Sequence, residues 1–182
     1  MIKIIGGTYR SRIIATPDQG TVPTKSMVRE AVFSALSDLI PGATVLDLFA
    51  GSGALGIEAL SRGAKAAYFV DSGAKAASTI LANLATLKES HGTVVNLDYQ
   101  AALASFKAQG LHFDAVFLDP PYALKESYQN AVNLLLSFHL LSPKAAIMLE
   151  YEGTIPFSES EFSFARHYNY GRTNVLIVRR SL

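Results

Sequence analysis

The chain has 182 residues, with 16 Lys and Arg against 15 Asp and Glu, and it contains no cysteine. This length suits one well-buried domain with a small appendage. The lack of cysteine excludes disulfides, thiolate metal sites and a thiol nucleophile of the kind that methylation at a pyrimidine ring carbon generally needs. No stretch predicts a membrane span or a signal peptide. The lack of cysteine fits a reducing compartment, so we expect a cytoplasmic protein.

Basic charge is concentrated at the N-terminus. Residues 1–30 contain five basic and two acidic side chains, which leaves a small negative net charge on the rest of the chain. A local basic segment favours a polyanionic partner, and ordinary solvated Lys and Arg side chains are the alternative. The candidates for phosphate contacts are Arg10, Arg12, Lys25 and Arg29, with Arg172 and Arg179 as further candidates.

A hairpin and a helix are predicted in the N-terminal segment, residues 1–41. Apolar pieces at residues 2–5 and 12–15 flank Gly6-Gly7, which indicates two short strands around a turn. Across residues 26–40 apolar side chains recur at helical spacing, and Pro41-Gly42 ends the pattern. We therefore expect a small β-hairpin and an amphipathic helix before the main domain.

Strands and helices alternate over residues 42–182. The predicted strands cover residues 44–48, 66–70, 93–97, 113–118 and 145–151, and the helices cover 54–62, 74–89, 101–108 and 126–138. Continuous apolar strands joined by helices predict an α/β fold with a doubly wound, mostly parallel sheet. In the tail, the turn Gly171-Arg172-Thr173 separates two strand patterns and predicts an antiparallel C-terminal hairpin at one sheet edge.

A glycine loop follows the first strand of this domain. Gly51-Ser52-Gly53-Ala54-Leu55-Gly56 fits the G-x-G-x-x-G pattern, and Asp71 follows twenty residues after Gly51, where it can accept hydrogen bonds from ribose hydroxyls. A carboxylate at Asp47 would repel a pyrophosphate but attract the ammonium of a methionine moiety. The loop therefore favours S-adenosylmethionine over NAD or FAD.

The cofactor site is expected to extend to the ends of the neighbouring strands. Asp98 either accepts from an adenine amine or caps the helix that follows it, and the two roles are compatible. The candidate cofactor-binding residues are Asp47, Phe49, Ala50, Gly51, Ser52, Gly53, Asp71, Ser72, Asp98, Tyr99 and Asp119.

The residues Asp119-Pro120-Pro121-Tyr122 directly follow a buried apolar strand. Proline has no backbone N–H and a fixed φ, so the pair ends the sheet and leaves carbonyls directed outward. A carboxylate, rigid carbonyls and an aromatic ring suit a planar amine, so we predict group transfer to an exocyclic amine. All four residues are the catalytic candidates, and a turn with a capping Asp and a packing Tyr is the alternative.

Other polar residues carry less information. His91, His112, His139 and His167 lack ligand spacing, so no metal site is expected. Glu150 and Glu152 flank Tyr151 at a strand end and are interpreted as solvated or rim residues.

The chain resembles the bacterial 16S ribosomal RNA guanine-N2 methyltransferases of the RsmD type. The resemblance runs nearly end to end, and its motifs are residues 45–53, 56–64 and 119–122 together with the N-terminal Ile4–Gly7, Arg10, Arg12, Pro23-Thr24, Val28–Ala31 and Phe33. It implies a class I, Rossmann-like methyltransferase domain preceded by an RNA-contacting hairpin and helix. It also implies methylation of a guanine amine in small-subunit ribosomal RNA, either free or in the assembled subunit.

The N-terminal segment departs from the family pattern at four positions. Val22 stands where the family typically has Arg, Ser26 and Met27 stand where an acid and a base are usual, and Ser11 replaces a common glycine. Since these positions lie in the segment that the resemblance implies to contact RNA, they bear on the target nucleotide more than on the reaction.

Several other functions are compatible with parts of the pattern. An adenine methyltransferase acting on DNA or RNA shares the pocket, but a DNA enzyme usually needs a recognition domain for which this chain has no room. A protein glutamine methyltransferase typically has Asn in place of Asp119, and a dinucleotide-dependent reductase or an inactive RNA-binding module would lack methyl transfer. A monomer is compatible with the sequence.

Overall fold

A seven-stranded sheet organises the computed structural model, which describes residues 1–17 and 26–180. The strands are β1 Ile2–Lys3, β2 Ile13–Ile14, β3 Thr44–Asp47, β4 Ala66–Val70, β5 Gly92–Val95, β6 Phe113–Leu118, β7 Leu141–Glu152, β8 Phe164–Tyr170 and β9 Thr173–Arg179. The helices are α1 Ser26–Ala35, α2 Ala54–Ser61, α3 Ala74–Leu87, α4 Tyr99–Ala108 and α5 Ser127–Ser137, with a 3₁₀ turn at Tyr122–Leu124. Within the described ranges, no helix is long and apolar enough to cross a membrane.

The large sheet has the strand order β5-β4-β3-β6-β7-β9-β8. The first five strands of this order, β5, β4, β3, β6 and β7, pair in parallel. Strand β9 runs antiparallel to both β7 and β8. From β3 the chain builds outward on one side to β4 and β5, and then returns to the other side at β6. The carboxyl ends of β3 and β6 therefore form a topological switch point, where open α/β sheets bind ligands. The predicted fold class, including the C-terminal antiparallel hairpin, is confirmed.

Two apolar clusters cover the two faces of the sheet. The first joins the N-terminal hairpin and α1, α2 and α3, and the second joins α4 and α5. Successive side chains of β3 point to opposite faces of the sheet, so Val45 belongs to the first cluster and Leu46 to the second. A parallel sheet buried on both sides explains the continuous apolar strands of the sequence.

The N-terminal hairpin and α1 share the first cluster with the main domain. The turn of the hairpin lies directly on α2: Gly7 has a φ of 76°, and a Cβ there would lie 1.7 Å from the carbonyl oxygen of Ser61. The Ser61 Oγ also accepts from the Tyr9 amide at 2.9 Å. Because the packing is continuous, the division of the chain at residue 41 stays a prediction.

Element boundaries differ from the predicted ones at a few places. Helix α1 ends at Ala35 instead of continuing to Ile40, since tight turns take over in which the Leu36 carbonyl accepts from Leu39 and Ile40. Strand β7 begins at Leu141, which pairs with Phe113 before an irregularity in register. Strand β4 and strand β6 have the predicted bounds.

Candidate active site

Four neighbouring parallel strands each present an aspartate at the carboxyl end. Asp98 follows β5, Asp71 follows β4, Asp47 ends β3 and Asp119 follows β6. All four line one cleft of about 870 Å³ at the switch point between β3 and β6. The parallel sheet thus gathers carboxylates that are 72 positions apart in the chain, between Asp47 and Asp119, into one site.

Asp47 is buried at the base of the cleft. Its Oδ2 accepts from the Gly56 amide at 3.0 Å, in the first turn of α2. Burial raises the pKa of Asp47 to about 7, and the nearby charge of Asp71 acts in the same direction while the Gly56 amide opposes it. A buried carboxylate of this kind would be stabilised in its charged form by a cationic ligand group.

Gly56 also explains how closely α2 packs on the sheet. A Cβ at Gly56 would lie 2.3 Å from the ring of Phe69 on β4. Any larger residue here would push the helix off the sheet and move the Asp47 contact, which is the packing role expected of the third glycine of the pattern.

Asp71 holds the glycine loop in place. Its Oδ2 accepts from the Gly51 amide at 2.9 Å and its Oδ1 from the Gly73 amide at 2.8 Å. Gly51 lines the cleft with a φ of 56°, and a Cβ there would meet nothing within 4 Å. Gly53, in contrast, does not line the cleft; it precedes α2 with a φ of 79° and packs against Ile80. The loop is therefore pre-organised around open space.

The far end of the cleft combines an aromatic pair with a capping carboxylate. The rings of Phe49 and Tyr99 lie 5.4 Å apart between centroids, and both line the cleft with Leu97. Asp98 is the N-cap of α4, because its Oδ1 accepts from the Gln100 and Ala101 amides at 2.9 and 3.0 Å. The capping interpretation of Asp98 is confirmed, and an adenine contact through Oδ2 is compatible with it.

The Asp119-Pro120-Pro121 segment forms the opposite wall. All three residues line the cleft, and the Pro121 carbonyl accepts from Leu124 at 2.9 Å to close the 3₁₀ turn. Pro120 is buried and Pro121 is exposed at the mouth. The predicted stacking role of the Tyr122 side chain lies outside the described part of the structure and stays a prediction.

Sequence reasoning missed Tyr128 and Tyr151 in this wall, although it interpreted Glu150 and Glu152 as solvated or rim residues. Tyr128 on α5 donates its hydroxyl hydrogen to the Glu150 carbonyl, and its ring meets that of Tyr151 edge-on at 6.5 Å. Both tyrosines line the cleft, and so do Glu150 and Glu152. The end of β7 is a strand carboxyl end like the others, so its position in the fold is the signal that could have identified Tyr151.

The residues predicted to contact phosphate differ in their exposure to solvent. Arg10 and Arg12 are exposed on the N-terminal hairpin. Between them, Ser11 has a φ of 69°, in the left-handed region that favours glycine, which accounts for the glycine common at this position. Lys25 lies outside the described residues.

The prediction for Arg29 is wrong. Its side chain is 1% exposed, with Nη2 donating to the Lys3 carbonyl at 3.0 Å and Nη1 lying 3.9 Å from Oε2 of Glu58. Burial lowers the pKa of Arg29, while the charge of Glu58 opposes that shift. Arg29 therefore joins α1 to the hairpin and α2, and it does not face solvent.

A buried asparagine joins the N-terminal segment to the glycine loop. The side-chain amide of Asn83 on α3 exchanges hydrogen bonds with Ala15, accepting from its N–H at 2.8 Å and donating to its carbonyl at 2.9 Å. The same amide donates to the Ser52 carbonyl at 3.0 Å. Two residues beyond Ala15, Pro17 lines the cleft. The N-terminal segment is thus held at the edge of the candidate site, and no local sequence pattern marks Asn83 for this role.

Sequence comparisons place the chain among known proteins. Residues 2–179 match the family model described as conserved hypothetical protein 95. The ribosomal RNA small subunit methyltransferase D of Escherichia coli is 36% identical over 182 residues, covering 98% of this chain and 90% of that protein. The protein of the same name from Haemophilus influenzae is 38% identical over 163 residues, covering 88% of this chain and 83% of that protein.

Solved structures agree with the observed fold. The Escherichia coli protein yhhF has a TM-score of 0.85 and 34% sequence identity, covering 99% of this chain and 98% of its own. A 16S rRNA N2 G1207 methyltransferase from Thermus thermophilus, solved with AdoMet and guanosine, has a TM-score of 0.73 over 90% of this chain and 44% of its own, at 21% identity. At that identity the second comparison shows the shared fold alone.

Proposed function

The chain belongs to the family described as conserved hypothetical protein 95, the RsmD family of class I methyltransferases, and from this membership we propose that it methylates the exocyclic amine of a guanine in 16S ribosomal RNA. S-adenosylmethionine is the proposed methyl donor. One observation carries the proposal: a single cleft joins the glycine loop to the Asp119-Pro120-Pro121 segment at the switch point of the sheet. The relatives named methyltransferase D support ribosomal RNA as the substrate.

The residues of the cleft fit S-adenosylmethionine. Asp47 offers a buried negative charge for the ammonium, the Gly51 backbone leaves room for close approach, and Asp71 lies where ribose hydroxyls would be held. Phe49 and Tyr99 offer an apolar surface for adenine. When bound, this cofactor supplies an electrophilic methyl group on a sulfonium centre.

Asp119 and Pro120 are the residues that orient the amine of the methyl acceptor in this proposal. The lone pair of an aromatic exocyclic amine is delocalised into the ring, so the nitrogen must be drawn partly out of conjugation before it can act as a nucleophile. We assign the Asp119 carboxylate and the Pro120 carbonyl as acceptors of the two amine hydrogens, which directs the lone pair toward the cofactor side. Positioning of this kind can supply a large part of the rate enhancement. The base must be unpaired or flipped out to reach the cleft.

The test of the proposed function is a labelling experiment on the acceptor. The protein is incubated with labelled S-adenosylmethionine and small ribosomal subunits from cells that lack the enzyme, and the RNA is digested to nucleosides for mass analysis. We expect the label on a guanosine, as the N2-methylated nucleoside. Label on adenosine, or transfer to DNA alone, would contradict the assignment. Parallel reactions with free 16S RNA distinguish an assembled substrate from a naked one.

Cofactor affinity is expected to depend on pH through Asp47. Its pKa is raised to about 7, so the carboxylate becomes neutral, and less attractive to an ammonium, as the pH falls through 7. An α-amino group loses its own charge above about pH 8. Affinity should therefore be highest between these two values and about tenfold lower at pH 5.5 than at pH 7.5. Titration calorimetry at a series of pH values measures this profile.

The matched variant for this profile is Asp47→Asn. It retains the size and an acceptor for the Gly56 amide but cannot titrate, so the acidic side of the profile should flatten while the alkaline side persists. A wild-type affinity that is constant from pH 5.5 to 7.5 would contradict the role of Asp47.

A further inference from the structure

The lining of the cleft has an excess of negative charge, which opposes the binding of RNA. Among the described residues, its walls carry only two cations, Lys75 and Lys125, against the carboxylates of Asp47, Asp71, Asp98, Asp119, Glu150 and Glu152. A nucleotide whose base enters the cleft brings a phosphate on each side of its sugar to the mouth. Those phosphates would be repelled by the carboxylates unless cations at the rim bind them.

Lys125 is placed at the mouth on the acceptor side. It directly follows the 3₁₀ turn Tyr122–Leu124 that continues the Asp119-Pro120-Pro121 wall, and its side chain is exposed. Lys75 lies at the other end, in the first turn of α3 beside Asp71 and Gly73. Lys125 is therefore the lining cation that a flipped nucleotide would meet near its reacting base.

A shallow, open depression of about 390 Å³ lies beside the main cleft and shares Lys125 and Glu152 with it. Its other lining residues are Gly153, Gly171, Arg172 and Asn174. The exposed Arg172 is a second cation that lines this depression together with Lys125. In the part of the chain that the structure describes, neither cation forms an ion pair.

The turn that carries Arg172 is held in place. It connects β8 to β9, and the pairing of Thr173 with Glu152 places it at the carboxyl end of β7. Asn174 fastens it further, because its Oδ1 accepts from Asn169 at 2.7 Å and its Nδ2 donates to the Gly153 carbonyl at 3.4 Å. Arg172 is thus presented from an ordered turn at the mouth of the cleft.

We propose that Lys125 and Arg172 form a phosphate subsite that binds the RNA backbone next to the flipped nucleotide. The subsite takes a phosphodiester, a monoanion, and its two cations exceed the single carboxylate of Glu152. It lies on the acceptor side, so it positions the nucleotide relative to Asp119 without contacting the cofactor loop. This proposal rests on the proposed function, because it requires a nucleic-acid acceptor.

The test compares Lys125→Ala, Arg172→Ala and the double variant with Lys144→Ala as the control. Lys144 is an exposed lysine at the opposite end of β7, away from the cleft. Steady-state methylation of small ribosomal subunits is measured from low to moderate salt, and S-adenosylmethionine affinity is measured by calorimetry.

We expect each single substitution to raise KM for the subunit by about three- to tenfold, with kcat and cofactor affinity changed by less than about twofold. The slope of log(1/KM) for the subunit against the log of the salt concentration should become shallower by about one for each cation removed. That slope reports phosphate contacts, and a merely structural role would not move it. Lys144→Ala should match the wild type in KM, kcat, cofactor affinity and salt slope.

The proposal is overturned if the double variant retains the wild-type KM and salt slope. It is also overturned if the variants weaken cofactor binding as much as RNA binding, since the two side chains would then not act on the acceptor side alone. The proposed function fails separately, when the wild-type protein labels adenosine or does not act on ribosomal subunits. If adenosine is labelled, the same comparison of KM and salt slope on that acceptor still decides the subsite.

Discussion

Replacing Asp119 with Ala is expected to lower the rate of methyl transfer by at least about 100-fold, because one of the two acceptors that orient the amine is lost. Cofactor affinity should change by less than about threefold, since Asp47, Asp71 and the glycine loop lie on other strands. Single-turnover reactions with labelled S-adenosylmethionine measure the rate of transfer. Calorimetry on the same preparation measures cofactor affinity.

Two further variants test whether the loss of activity in Asp119→Ala is specific to this carboxylate. Asp119→Asn keeps the shape and one acceptor oxygen, so we expect it to retain more activity than Asp119→Ala. Asp114→Ala removes an aspartate from the opposite end of the same strand, where its Oδ2 accepts from Thr44 at 2.8 Å, and should leave the rate of transfer near that of the wild type. A large loss of cofactor binding in Asp119→Ala, with the rate retained at saturating cofactor, would show that Asp119 serves the cofactor instead of the acceptor.

The architecture could be predicted because the sheet is buried on both faces. Strand β4, and β6 beyond Asp114, must then be apolar, and this leaves a signal that can be recognised without knowing the partner strand. The position of the site follows from the same argument, since parallel strands place their carboxyl ends at one edge. That is why Asp47, Asp71, Asp98 and Asp119 could be assigned to one cleft from the sequence.

Side chains that act through distant partners could not be predicted in this way. Arg29 has the sequence context of an exposed helical arginine, yet it is buried against Glu58 on α2, 29 positions away. Asn83 lies in the middle of α3 and contacts the N-terminal segment and the glycine loop at once. Lys125 and Arg172 line one depression only because β9 pairs with β7. Such contacts depend on tertiary pairing, which local periodicity does not encode.

Glu58→Gln is expected to lower the free energy of unfolding by about 3–5 kcal/mol. The fully buried carboxylate of Glu58 accepts from the Ile5 and Gly6 amides at 3.0 and 2.9 Å and from Nε of Arg62 at 3.0 Å. It is also the counter-charge of Arg29. An amide in its place leaves the Arg29 guanidinium buried without compensation and turns a donor toward the hairpin amides.

Urea unfolding measures this loss as a lower midpoint at an unchanged m value. The surface control is Asp38→Asn, which breaks the exposed ion pair with Arg179 at 2.9 Å and should cost about 1 kcal/mol or less. If buried charge compensation is the cause, adding Arg29→Met to Glu58→Gln should cost less than the sum of the two single changes, by about 0.5–3 kcal/mol. A Glu58→Gln variant no less stable than Asp38→Asn would mean that the hairpin is held on α2 by apolar packing, and that the buried ion pair contributes little.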